Sequence, residues 1–344
     1  MRPATLILGA ALIALPVFAY ATTPSSAPAS RHPAPALRPT AVPAPAAALA
    51  RAFAEACDWT ELALPTGYAR PDVHAAGGHG VYAGVAWDLD MGRNEALLWQ
   101  GGVARPLGDD TDVHDVNANG AVVGRGSGNT PVRYTAGYWE ELPRPAGATG
   151  VATDINDAGD VLGALDHGRL IRWPAARPGT YELVVSPFPG NHTPIDLAED
   201  GTLLARAVMA GGTTPAWLRA ADGTWTLLQR AEGTHEVTPT AVAGDRVVGS
   251  DRGETALEWD RSGTITQAVT GFVPVDANAA GQVLGRLDPS SQPAVYRDGK
   301  LEAVLPTTFN GRRVDPRALD DDGTVLGTAD GGDDDPDRVV VGRC

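Results

Sequence analysis

The chain has 344 residues and a formal charge of −15, with 42 Asp and Glu against 27 Lys and Arg. So acidic a chain has no pull on nucleic-acid phosphates or anionic lipid, and its Arg residues are scattered rather than clustered. Only two cysteines occur, enough for one bridge.

Arg2, an apolar run from about Ala4 to Phe18, and Ala19-Tyr20-Ala21 have the three marks of a secretory signal peptide, residues 1–21, cleaved near Ala21. The run is shorter than a membrane span requires. The expectation is a periplasmic or secreted bacterial protein, monomeric and without membrane insertion. Residues 22–56 form a Pro/Ala-rich linker that cannot bury enough apolar surface to offset its ordering entropy, with a short helix expected around Ala46–Ala56. Residues 57–344 are left for one large all-β domain.

Within that domain a short pattern recurs: Gly, one residue, two apolar residues, then Gly or Ala. It occurs at Gly120–Gly124, Gly159–Gly163, Gly201–Ala205, Gly281–Gly285 and Gly323–Gly327, with variants at Gly80–Gly84 and Gly244–Gly249. Copies are spaced about 40 residues apart. Several follow Asp-x-Asn, as in Asp115-Val116-Asn117, Asp154-Ile155-Asn156 and Asp276-Ala277-Asn278. Each precedes a segment ending near an aromatic (Trp99, Trp173, Trp259, Tyr296), a Gly-rich turn and a last short strand. Four strands per unit and seven units predict a seven-bladed β-propeller of four-stranded blades. The last unit stops at Cys344 without its fourth strand, while Cys57-Asp58-Trp59-Thr60-Glu61-Leu62 is a spare of the same type. The N-terminal strand is therefore expected to complete the last blade. A Cys57–Cys344 disulfide would then replace the missing hairpin turn.

The pattern Asp-x-Asn-x-x-Gly-x-Val-x-Gly, cleanest at residues 154–163, and the strand at Glu95-Ala96-Leu97-Leu98-Trp99 resemble bacterial extracellular HAF-repeat proteins. Blades four and five depart from it, with Asp196-Leu197-Ala198 and Thr240-Ala241-Val242. The resemblance implies a propeller and carries no established activity.

No catalytic or metal motif stands out. Asp115-Val116-Asn117-Ala118-Asn119-Gly120 matches the first half of a calcium loop, but Gly126 stands where the closing carboxylate belongs. Structural turns explain the pattern without a metal, so no cofactor is expected, with calcium as the alternative there and at Asp333–Asp337. The seven His residues show no zinc spacing, and no nucleophile elbow or dinucleotide fingerprint occurs. Function is therefore sought on loops between blades. There Tyr68, Phe188, His192, His235, Phe272, Phe309, Arg312 and Arg313 suggest a ligand-binding rim, and Asp88, Asp90 and Arg93 occupy another long loop. Three functions fit: a non-enzymatic propeller binding a protein, peptide or glycan; an extracellular polysaccharide or peptide hydrolase or lyase; and a structural envelope component. A pocket joining His192, His235 and acids would favour the enzyme.

Overall fold

The structure, a computed structural model, describes residues 40–41, 57–108, 111–209, 214–234, 236–251, 255–332 and 336–343. The expected signal peptide, the short helix, nearly all of the linker, His235, Cys344 and the centre of the Asp333–Asp337 run lie outside the described residues.

The described chain is all-β apart from a 3-10 turn at Asp166–Gly168. Its strands form antiparallel four-stranded meanders: sheets A (68–106), B (112–141), C (150–184), D (191–227), E (238–270) and F (272–304). Sheet G takes three strands from residues 312–343, and its fourth is Asp58–Glu61, paired from Asp58↔Arg343 to Glu61↔Val340. Sheets E and F are joined by one parallel bridge, Thr255↔Phe272. Thr40–Ala41 runs parallel to Val269 and Thr270 at the outer edge of sheet E.

Each sheet is apolar on both faces because it is sandwiched. Separate buried clusters lie between A and B (Val81, Leu98, Val116, Tyr134), B and C (Val123, Leu142, Ile171, Trp173), C and D (Leu162, Leu170, Leu203, Trp217) and D and E (Leu218, Leu228, Val247, Trp259). Others lie between E and F (Val248, Phe272, Tyr296), F and G (Trp59, Leu284, Leu305, Val340) and G and A (Leu62, Val73, Leu97, Trp99, Leu326). Indole N–H groups reach back to the preceding sheet: Trp99 to the Ala63 carbonyl (3.3 Å), Trp173 to Pro143 (2.6 Å), Trp259 to Gln229 (2.7 Å) and Trp59 to Pro306 (2.8 Å). This explains the aromatic at a fixed repeat position. Trp217 of sheet D is the exception, its indole nitrogen buried without a hydrogen-bond partner.

The inner strands are Tyr68–Ala76, Asp112–Val116, Gly150–Ile155, Asn191–Leu197, Thr238–Ala243, Phe272–Ala277 and Arg312–Leu319. They neighbour one another in succession, and that of sheet G neighbours that of sheet A. Each carries a β-bulge against the second strand of its sheet. The final glycine of the repeat lies under this bulge. A methyl on Gly163 would overlap the Val151 carbonyl oxygen, and one on Gly124 that of Asp112. The repeat thus keeps glycine where two backbones touch.

The Asp-x-Asn pair ties successive inner strands together. Asp115 accepts a hydrogen bond from the Ile155 N–H of the next sheet (2.8 Å), Asp154 from Leu197 (2.5 Å), Asp196 from Val242, and Asp276 from Leu319 (2.8 Å). Asn117 donates to the Asn156 carbonyl (3.0 Å) and Asn278 to that of Asp320 (3.0 Å), while their own side-chain oxygens close the local turn. The side chains of the motif that suggested calcium thus form turns and latches.

The latch carboxyls are half-buried where the inner strands crowd together. Burial raises Asp115 and Asp276 to about 7, and it raises Asp154 and Asp196 well above the ordinary carboxylate range, helped by hydrogen-bonded contact along the series Asp115–Asp154–Asp196. Each keeps its proton in the native state where the unfolded chain has lost it, so native protein binds more protons and stability falls as pH rises.

Two outcomes are expected. Gly163→Val should lower unfolding free energy by about 3 kcal/mol, at the upper end of overpacking penalties, in urea denaturation. Asp276→Asn keeps an acceptor for Leu319 but removes the titration. The wild-type-minus-variant stability should fall from about pH 4 to about pH 7, by up to about 1.4 kcal/mol per unit. A difference flat across that range would show that Asp276 titrates normally.

Candidate functional site

The inner strands surround a cavity of about 520 Å³, lined by residues of every inner strand and the turns that follow them. At one level it meets His74, His114, Thr153, Ile195, Thr240, Val275 and Arg317, the residues left unpaired by the bulges. Next to them lie the latch carboxyls Asp115, Asp154, Asp196 and Asp276, and toward the turns come Asp157, Glu199 and Asp321. Glu199 is raised by burial and by the neighbouring charges of Asp157 and Asp321, although the Asp157 N–H that it accepts (2.9 Å) pulls the other way.

The basic residues at the bulges lie on sheets G, A and B, and Arg261, on a turn of sheet E, also lines the cavity, 3.5 Å from Asp200. His74 Nδ1 meets the Val113 carbonyl (2.6 Å), and its Nε2 stands 3.5 Å from Asp72. Burial opposes a charge on His74, but Asp72 and the Val113 carbonyl outweigh it and raise its pKa. Asp72, also pushed up by burial, is held below its ordinary value by His74, Thr328 and Arg317. Arg317 lies 3.5 Å from Asp72 and 3.6 Å from Asp315, beyond hydrogen-bonding reach. His114 has no hydrogen bond among the described residues, and burial lowers its pKa despite nearby Asp112. His114 thus presents a neutral ring with an open donor and an open acceptor.

The residues expected on a loop rim lie away from the axial cavity. None of Tyr68, Phe188, His192, Phe272, Phe309, Arg312 or Arg313 lines the cavity. Tyr68 donates to Glu95 (2.6 Å). Phe188 packs on Trp217 at 5.0 Å and Trp225 at 6.3 Å, and His192 stands edge-on to Trp217 at 4.9 Å. Phe272 is corrected to a core residue: it is 1% exposed and packs on Tyr296, since it opens the inner strand of sheet F rather than ending a loop. Phe309 packs against the F–G cluster, and Arg312 donates to the Pro336 carbonyl (2.6 Å). Arg313 lies on the inner strand of sheet G, paired with Thr308. Asp88 is a turn former, accepting from the Asp90 and Met91 N–H groups (2.8 and 3.0 Å). His192 does not join acids in the cavity, and His235 is outside the described residues, so the condition set for an enzyme at that place is not met by His192. The basic residues that do line the cavity at the bulges, His74, His114 and Arg317, carry no motif, and only His114 stands next to an Asp of the repeat.

No protein-family model matches this chain, and no curated protein matches it in sequence. Solved structures do match in fold. A catalytically inactive virginiamycin B lyase from Staphylococcus aureus with quinupristin superposes with a TM-score of 0.58 at 16% identity, covering 84% of this chain and 99% of that one. An oligogalacturonate lyase from Vibrio parahaemolyticus gives 0.55 at 15% identity, with 82% and 93% covered. YCF48 bound to D1 peptide gives 0.51 at 14% identity, with 83% and 94% covered. At these identities the likeness is one of architecture: this chain is a propeller-like, all-β scaffold.

Proposed function

We propose that this chain is a secreted, seven-bladed β-propeller of the HAF-repeat type that binds a small peptide or glycan in its axial cavity rather than on its loop rim. One observation carries the reading: the cavity holds polar side chains with unspent hydrogen-bonding capacity, Arg317 and His114, whereas the rim aromatics are spent on packing. The blade count and closure draw support from the succession of inner strands and from the apolar cluster between sheets G and A. The proposed Cys57–Cys344 bridge draws support from the pairing of their chain neighbours, Asp58↔Arg343, from the 2% exposure of Cys57, and from the absence of a free cysteine among the described residues.

A second reading, hydrolase or lyase chemistry, is favoured by His114 alone, a neutral imidazole in a polar cavity beside carboxyls. Propellers of this fold include lyases as well as a peptide-bound protein, so the fold does not choose.

Thr240→Trp, which fills the cavity, should abolish binding on a glycan or peptide array, while Phe309→Ala leaves it intact. The reverse pattern would return the site to the rim. Reduction should add two hydrogens to the intact mass, and Cys344→Ser should lower stability by up to about 5 kcal/mol. A mass unchanged by reductant would remove the bridge.

A further inference from the structure

The ring of bulge residues is asymmetric. In sheet order it reads Arg317, His74, His114, Thr153, Ile195, Thr240, Val275, all lining the cavity. The three basic side chains are consecutive, on neighbouring strands of sheets G, A and B. The bulge residues across from them in sheet order are hydroxyl-bearing and apolar, and a cation on that side, Arg261 from a turn of sheet E, is engaged by the Gly244 carbonyl and by Asp200. The residue after the bulge is Asp on sheets B, C, D and F but Ala75, Ala241 and Ala318 on sheets A, E and G, so the strands of Arg317 and His74 carry no latch carboxyl of their own, although Asp276 of sheet F reaches across to Leu319.

The nearby anions are already committed. Asp72 accepts from the Thr328 hydroxyl (2.8 Å), and Asp315 accepts from Arg286 (2.5 Å). Asp112 pairs with Arg125. Arg317 meets both Asp72 and Asp315 only at ion-pair distance, so its planar fork of donors is unspent, as are the ring nitrogens of His114. His74 is consumed by Val113 and Asp72 and serves as fixed positive charge between them.

A guanidinium fork with unmet donors matches a carboxylate bidentately. The mixed hydroxyl and apolar arc suits the body of a molecule of one sugar ring or two amino-acid residues, and a cavity of about 520 Å³ has that scale. Resting on the axial-cavity reading above, we infer that Arg317 and His114 bind the carboxylate of a small organic acid, with its body against Thr153, Ile195, Thr240 and Val275.

The test uses the folded protein labelled with ¹⁵N, titrated with sodium glucuronate, N-acetylalanine, glucose and sodium sulfate, read by the His114 ring resonances and by calorimetry. At least one acid should give a saturable His114 shift, and the stronger of the two identifies an acidic sugar or a peptide terminus as the source. Affinity should fall about tenfold or more in Arg317→Gln and in His114→Gln, partly recover in Arg317→Lys, and stay unchanged in Arg169→Gln on the exposed surface. Glucose should give no shift. The inference is overturned by the absence of a saturable shift with both acids, by equal affinity in Arg317→Gln, or by sulfate binding as well as the acids. Neutral glycans that bind, are lost in Thr240→Trp and ignore Arg317→Gln would keep the cavity reading and remove the carboxylate.

Discussion

Crowding at the axis governs this structure. Inner strands that converge on a common cavity have no room for ordinary sheet edges, and their backbone N–H groups must find acceptors across the gap to the next sheet. The solution repeated here is a bulge that turns an Asp toward its neighbour, with a glycine beneath it where the second strand presses against the bulge. The bond costs desolvation of a carboxyl, which the molecule limits by keeping the proton. Sandwiched apolar faces then hold the outer parts of the sheets, and tryptophans of several sheets bind their layer to the one before it.

The same bulges generate the cavity lining. A residue with no cross-strand partner is released from the requirements of the ladder, so the chain is at liberty to place His, Thr, Ile, Val or Arg there. Scaffold and site therefore occupy adjacent positions in each repeat: the residue after the bulge, Asp in four of the seven sheets, serves assembly, and its predecessor varies.

Much of the fold was legible because repetition multiplies a weak signal. No single Gly-x-Val-Leu-Gly stretch identifies a strand pair, but its return at regular spacing does, and the pairing of Asp58–Glu61 with Val340–Arg343 follows from counting strands in the last unit. The site was not legible in the same way. Phe272, Phe309 and Phe188 are aromatics near strand ends, and sequence cannot tell a rim aromatic from one folded back onto a neighbouring sheet. His114 and Arg317 carry no motif. Their significance lies in which strands become neighbours across the start and finish of the repeat, a property of ring order rather than of local spacing. The Asn of the Asp-x-Asn pair closes a local turn, but the pair's other role, the Asp bond to the next sheet, involves residues about 40 positions away.

The alanines at 75, 241 and 318 bear on more than packing. Where four sheets place a latch carboxyl, these three leave a methyl group, so no carboxyl crosses from this position at the A–B, E–F and G–A junctions. Loss of protons with rising pH therefore acts on the four junctions that have latches and leaves these three untouched.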